Sequence, residues 1–382
     1  MVRSLTNSNY DLQIGVFGDL RTTGRQDTVL EQFQYNINTK TLSTSTANGG
    51  TVTQADYMAV LTSTTATNGQ AQLQTKKANR YRPGHGGGTY FSVLWTQPNA
   101  TDTATQYAGI FNSSDGFFVG FKNGVFHVGY RKNGTDIITP ITEFNTDHLD
   151  FIDFTKLNIF YIHYGWLGTA NITFGILWEG HHHPFHTIHM QNVLSGPSVG
   201  NPVLPICFDI TKTAGSTNLI MKSASMNAYT LNASSGNPAD RFFAGTVSKN
   251  TVSTEAVIIN FRNPSTWQSV TNQVVVEGVL LNAAVDGTKP ALVKIYKNLT
   301  ITSPSWAAKD STNSVVDTDT AGTVTPNDSN LMVAVPLGRL DNVEVYLKDL
   351  DFTMNPGDTV TITVQSASNT DVVLGFRWRE LF

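Results

Sequence analysis

The chain has 382 residues, of which only 14% are charged, and a net charge of −4; globular chains average about 25% charged. Uncharged polar residues take the vacant places, with 50 Thr, 32 Asn and 26 Ser. At 40% hydrophobic this is neither a disordered polyelectrolyte nor a set of solvated helices, which draw on Glu, Lys, Ala, Arg and Leu, and it lacks the basic excess of a non-specific nucleic-acid binder.

Thr and the aromatics suit half-buried strands, and Asn and Gly suit tight turns. The composition predicts an all-β fold. Its length suggests two or three domains: an N-terminal arm over 1–80, a first β-sandwich over 81–248 and a C-terminal β-sandwich over 249–382. Met1 to Leu20 has no continuous apolar core of the kind a secretory signal carries. No apolar run reaches the ~20 residues that span a bilayer. Cys207 is the sole cysteine, so no disulfide forms within the chain.

Within 1–80, Thr39 to Thr75 is rich in Thr, Ser, Asn, Gly and Gln, with short apolar stretches such as Tyr57 to Leu61. Ordering such a segment costs roughly 1–2 kcal/mol per residue in backbone entropy. The arm is therefore expected to bury Val16, Phe17, Phe33, Tyr35, Tyr57 and Leu61 against a partner.

The most informative stretch is Gly116 to Arg131. Asn123-Gly124 is the preferred pair for a two-residue type I′ hairpin turn. That turn sets Phe121 opposite Phe126, Val119 opposite Val128 and Phe117 opposite Tyr130, all on one apolar face. Phe118, Gly120, Lys122, His127 and Arg131 take the other. Asn133-Gly134 supplies a second such turn, giving a three-stranded meander with one buried face. Further strands are predicted at Tyr90 to Trp95, Leu157 to Tyr164 and Asn171 to Trp178.

Gly245 to Thr254 reads as a boundary. Beyond it, Thr359 to Val364 places Val360, Ile362 and Val364 inward and its threonines outward. Val372, Leu374, Phe376 and Trp378 share a face, and Asn355 to Asp358 is a turn. Short strands and turns with no βαβ alternation mean antiparallel sandwiches or jelly rolls.

Three motifs bear on chemistry. Five of the nine histidines fall within His181 to His189, and imidazole is a common metal ligand. On a strand, His186 and His189 point to opposite faces, and Pro184 excludes a helix interior. The run therefore reads as a turn and an edge strand, and His186 and His189 as metal ligands only where a threefold axis gathers several copies. His85 to Gly88 and Gly196 to Gly200 imitate pieces of an esterase, but Val-Gly-Asn-Pro after Ser198 cannot open the required helix. No local pair of acids marks a glycosidase, although exposed aromatics of a sandwich can stack on sugars. Nothing calls for a cofactor.

Arg80-Tyr-Arg-Pro-Gly84, Asp115 to Phe121 with Phe126 to Arg131, Tyr164 to Gly168, Asn201 to Pro205 and the ending Trp378 to Phe382 resemble phrases in a family of virion structural proteins of tailed bacteriophages and large DNA viruses. The pattern departs at His85, where the family has a Gln-like residue. The resemblance implies a non-enzymatic fibre, spike, decoration or minor capsid protein, made in a host cytoplasm and carried on the virion. Its expected partners are further copies in a homotrimer and other capsid proteins, held through the arm, with neither nucleic acid nor membrane. The alternatives are a carbohydrate-binding module for host surface glycans, or a polysaccharide depolymerase.

Overall fold

Both Asn-Gly pairs form the turns that their conformational freedom favours. In the computed structural model, Asn123 and Gly124 have φ of 51° and 79°, and Asn133 and Gly134 have 50° and 78°. Positive φ at both central residues is the type I′ geometry. The structure describes residues 25–81, 84–165, 170–231, 241–250, 253–286, 289–347, 352–366 and 370–382. Parts of two phrases, Arg82–Pro83 and Trp166–Gly168, lie outside these residues, as do Val16 and Phe17.

The chain divides into two units, Met1–Ser235 and Gly236–Phe382. The strands of the first are β1 (Arg25–Gln32), β2 (Leu42–Ala47), β3 (Thr51–Ala55), β4 (Met58–Thr62), β5 (Gln70–Thr75), β6 (Gly86–Trp95), β7 (Thr103–Phe111), β8 (Gly116–Lys122), β9 (Val125–Lys132), β10 (Thr135–Pro140), β11 (Asn158–Gly165), β12 (Ile172–Trp178), β13 (His181–Ile188), β14 (Ile206–Ala214), β15 (Ile220–Ser223) and β16 (Ser225–Leu231). One sheet runs β13-β12-β11-β6, where the long β6 pairs with β16 along one half and β15 along the other. Beyond these, β1 pairs with β16, and β4 and β3 follow β15. The second sheet runs β10-β9-β8-β7-β14-β5-β2. Every pairing is antiparallel.

The two sheets share one core. Phe91, Val93, Trp95, Phe160, Ile162 and Phe174 from the first meet Ile110, Val119, Phe121, Phe126, Val128 and Phe208 from the second. Trp95 sits at its centre, with ring centroids 5.3 Å from Phe121 and 6.0 Å from Phe126 in edge-on contacts, the favoured aromatic geometry. The hairpin pairs in the expected register, Phe121 with Phe126 and Val119 with Val128. Its other face is not left to solvent, because Phe118 is fully buried and stacks on Tyr107 with centroids 4.2 Å apart.

The N-terminal arm is corrected by this topology. Strands β1 to β5 are integral to the sandwich, and Val29, Phe33, Leu42, Leu61 and Leu73 belong to its core. Tyr35 and Tyr57, expected to seek a partner surface, stay exposed. The segment looked poor in apolar residues because strands such as β5 bury only one face. In β5, Ala71 and Leu73 point inward while the glutamines point outward. Val29, Phe33, Leu42, Leu61 and Leu73 are thus buried on their own chain.

The resembling phrases act as joints. The Asp115 carboxylate accepts the backbone N–H of Gly200 at 2.7 Å and of Asn201 at 3.1 Å, tying the turn before β8 to the loop before β14. Ser198 lies in that same loop, buried.

In the second unit, Arg241–Lys249 pairs along its whole length with Asp371–Leu381, so the expected boundary at 248/249 gives way to one before Arg241. One sheet orders 241–249, 371–381, 275–286 and 342–345, and the other 307–308, 317–319, 256–262, 359–366, 291–297 and 331–337. Val372, Leu374, Phe376 and Trp378 point into the core as expected. Thr361 and Thr363, expected outside, are buried: Thr361 donates to Asn260 Oδ1 at 2.7 Å and Thr363 to a Glu255 oxygen at 2.8 Å.

Candidate functional site

The outer face of the first sheet gathers rings from strands far apart in sequence. On β6, Phe91, Val93 and Trp95 face the core, so Tyr90 faces outward. Register sets Tyr90 beside Tyr161 of β11 and Asn227 of β16. Tyr161 and Tyr229 lie on either side of Tyr90, each with centroids 5.7 Å away.

Glycines let these rings lie flat. A Cβ on Gly88 would come 2.5 Å from the Tyr229 hydroxyl, and one on Gly175 would come 2.0 Å from the Tyr161 ring. The glycine-rich start of β6 therefore serves packing. Gly175→Ala should cost about 1–3 kcal/mol, as an overpacked position does, which urea unfolding would measure.

Arg25 of β1 covers this platform. Its guanidinium carbon stands 4.5 Å from the Tyr90 ring centroid and 4.6 Å from that of Tyr229, a cation–π arrangement. Arg25 Nη2 donates to the Tyr90 hydroxyl at 2.6 Å. Two imidazoles reach the same oxygen, His182 Nε2 at 2.8 Å and His163 Nε2 at 3.3 Å. Beside this cluster a cleft of about 700 Å³ opens, lined by Tyr90, Ile159 and His182 on one side and by Arg25, Leu30, Glu31, Gln32 and Asn227 on the other. Burial raises the Glu31 carboxyl above the usual range, opposed by a hydrogen bond from Thr41. Glu31 is the one carboxylate among the described residues lining the cleft.

The histidine run forms the turn and edge strand that its sequence suggests, with His181–Ile188 as β13 at the end of the sheet. A bulge opposite Phe174 and Gly175 turns both Phe185 and His186 inward. His186 packs beside Phe144 and Phe174, and its Nδ1 accepts the Asn145 N–H at 3.3 Å. His189 is exposed, with Nδ1 3.3 Å from Asn171 Oδ1. A histidine turned into the core cannot reach an ion on a threefold axis, so the His186 and His189 pair is withdrawn as a ligand set. Among the described residues no three His, Cys, Asp or Glu side chains gather as a metal centre would require. The run contributes to the site through His182.

Burial, with His189 nearby, lowers the His186 pKa below its ordinary 6.5. The unfolded chain then binds the proton more readily, so stability present above about 6.5 falls as the pH drops. His186→Gln keeps an acceptor for Asn145 and removes the titration. Its urea midpoint should fall less than that of the parent between about pH 7 and about pH 5.5.

No family model and no curated protein matches the chain. Solved structures similar to it include an endo-1,3-β-glucanase from Streptomyces sioyaensis, at 10% identity over 55% of this chain and 98% of that one, with a TM-score of 0.40. A β-1,3-glucanase from Mycobacterium marinum is similar at 9% identity over 53% and 98%, TM-score 0.39. The carbohydrate recognition domain of Emp47p is similar at 11% identity over 54% and 96%, TM-score 0.35. With glucanases among these structures, the expectation of a non-enzymatic chain is withdrawn. At such identities the likeness is one of β-sandwich fold.

Proposed function

We propose that the first unit binds oligosaccharide in the cleft beside Tyr90. The observation that carries this is the lining itself. Apolar surface from Tyr90, Leu30 and Ile159 meets hydrogen-bonding groups from Arg25, Glu31, Gln32, His182 and Asn227. A sugar presents the matching surface, with C–H groups for the apolar wall and hydroxyls for the polar rim. The volume falls in the ~300–1,000 Å³ range of ligand sites.

A glycan panel followed by titration calorimetry tests the reading. Tyr90→Ala should weaken binding about tenfold, the worth of one aromatic contact. Lys122→Ala, on the second sheet, should leave it unchanged. Equal affinity in parent and Tyr90→Ala would refute the site.

The resemblance to virion proteins supplies the setting we propose for this binding, a particle surface that meets host glycans. Native mass measurement, with a trimer expected, addresses that setting separately.

A further inference from the structure

We propose that this cleft also cleaves its ligand, by β-elimination from a uronate-containing polysaccharide, with Tyr90 moving the proton. This rests on the cleft being the glycan site.

A tyrosine hydroxyl has one proton and two lone pairs. Here it meets three partners. Arg25 Nη2 fills one lone pair at 2.6 Å, and His182 Nε2 and His163 Nε2 stand at 2.8 and 3.3 Å. One imidazole accepts the hydroxyl proton, and the other donates its N–H to the remaining lone pair. The proton thus has a base beside it, and the oxygen it leaves has a guanidinium. A tyrosine that only stacks on sugar requires neither. This is an acid–base relay opening on a ligand cleft.

The relay selects the reaction. Glycoside hydrolysis runs on two carboxyl groups roughly 5–9.5 Å apart, whereas the described lining offers Glu31 alone. Proton abstraction by a phenolate suits a carbon acid, and in a polysaccharide that is C5 of a uronate, next to its carboxylate. The remaining N–H groups of Arg25, with the Gln32 amide, would hold that carboxylate, while Asn227 Nδ2 already donates to Asp27 Oδ1 at 2.7 Å. Glu31, which also lines the cleft, opposes it by charge.

The step balances without a co-reactant. The Tyr90 proton passes to His182 Nε2, and the phenolate removes the C5 proton. The C5–H electron pair becomes the C4=C5 double bond as the C4–O glycosidic bond breaks. The leaving oxygen takes the proton from Tyr90, and His182 returns its own. One chain becomes two, one ending in an unsaturated uronate.

The experiment presents the full chain with alginate, polygalacturonate and hyaluronan, each beside its carboxyl-reduced form, and with laminarin. Ultraviolet absorbance reports the new double bond, and reducing-end assay reports every cleavage. Absorbance should rise with a polyuronate and not with its reduced form. Tyr90→Phe, with unchanged circular dichroism, should lower turnover about a hundredfold or more while affinity changes less than about tenfold. New reducing ends without absorbance would overturn elimination in favour of hydrolysis. Binding to a polyuronate without turnover would overturn elimination and leave the binding site standing. Absence of binding to every glycan would refute both.

Discussion

A chain lacking residues 25–75 should fail to fold its first unit. The deletion removes β1 to β5 and with them Val29, Phe33, Leu42, Leu61 and Leu73, each at most 6% exposed. Burying such a side chain is worth about 1.5–3 kcal/mol, so five of them approach the roughly 5–15 kcal/mol by which a domain is stable. Lost pairing adds to this, because β14, β15 and β16 each give up a neighbour. Arg25 goes too, and with it the cover over Tyr90. Expression of the truncated chain should give aggregated or protease-sensitive protein that binds a hydrophobic dye. A soluble truncation with an intact, cooperatively melting first unit would restore the dispensable arm that composition suggests.

Phe126→Ala should destabilise the first unit by about 3–5 kcal/mol, the range for removing a buried phenylalanine. Phe126 is 2% exposed, and its ring lies 4.6 Å from Phe154, 5.2 Å from Phe121 and 6.0 Å from both Trp95 and Phe160. Aromatic rings on every side limit collapse around the void. Lys122→Ala, four residues away on the opposite face, should stay within about 0.5 kcal/mol. Urea unfolding of the two variants separates these outcomes, and equal shifts would contradict the register.

The hairpin was legible because local chemistry decides it. Asn-Gly fixes the turn, and the turn fixes which residues face each other. The same holds for Ile172, Phe174 and Ile176, whose alternation needs no distant information. Residues 25–80 were not legible, since the partners that bury their few apolar groups come from β14, β15 and β16, more than a hundred residues away. Both faces of the meander are covered because Tyr107 and Phe118 lie on the second sheet's outer side, a packing that alternation cannot announce.

The candidate site was hidden for a related reason. His163 and His182 lie 73 and 92 residues beyond Tyr90, and Arg25 falls in the supposed arm. No motif spacing joins them. Two signals were present without being decisive: the histidine run, which drew attention to His186 and His189 while His182 is the one beside Tyr90, and Gly86 to Gly88, which marks where a ring lies across a strand.

Crystallography of the chain with an oligosaccharide retained from the glycan panel would show where the sugar sits. A sugar ring is expected within about 4 Å of Tyr90, with hydroxyls on Gln32, Asn227 or His182. A sugar seated away from Tyr90, on the second unit or on the opposite sheet, would contradict that placement.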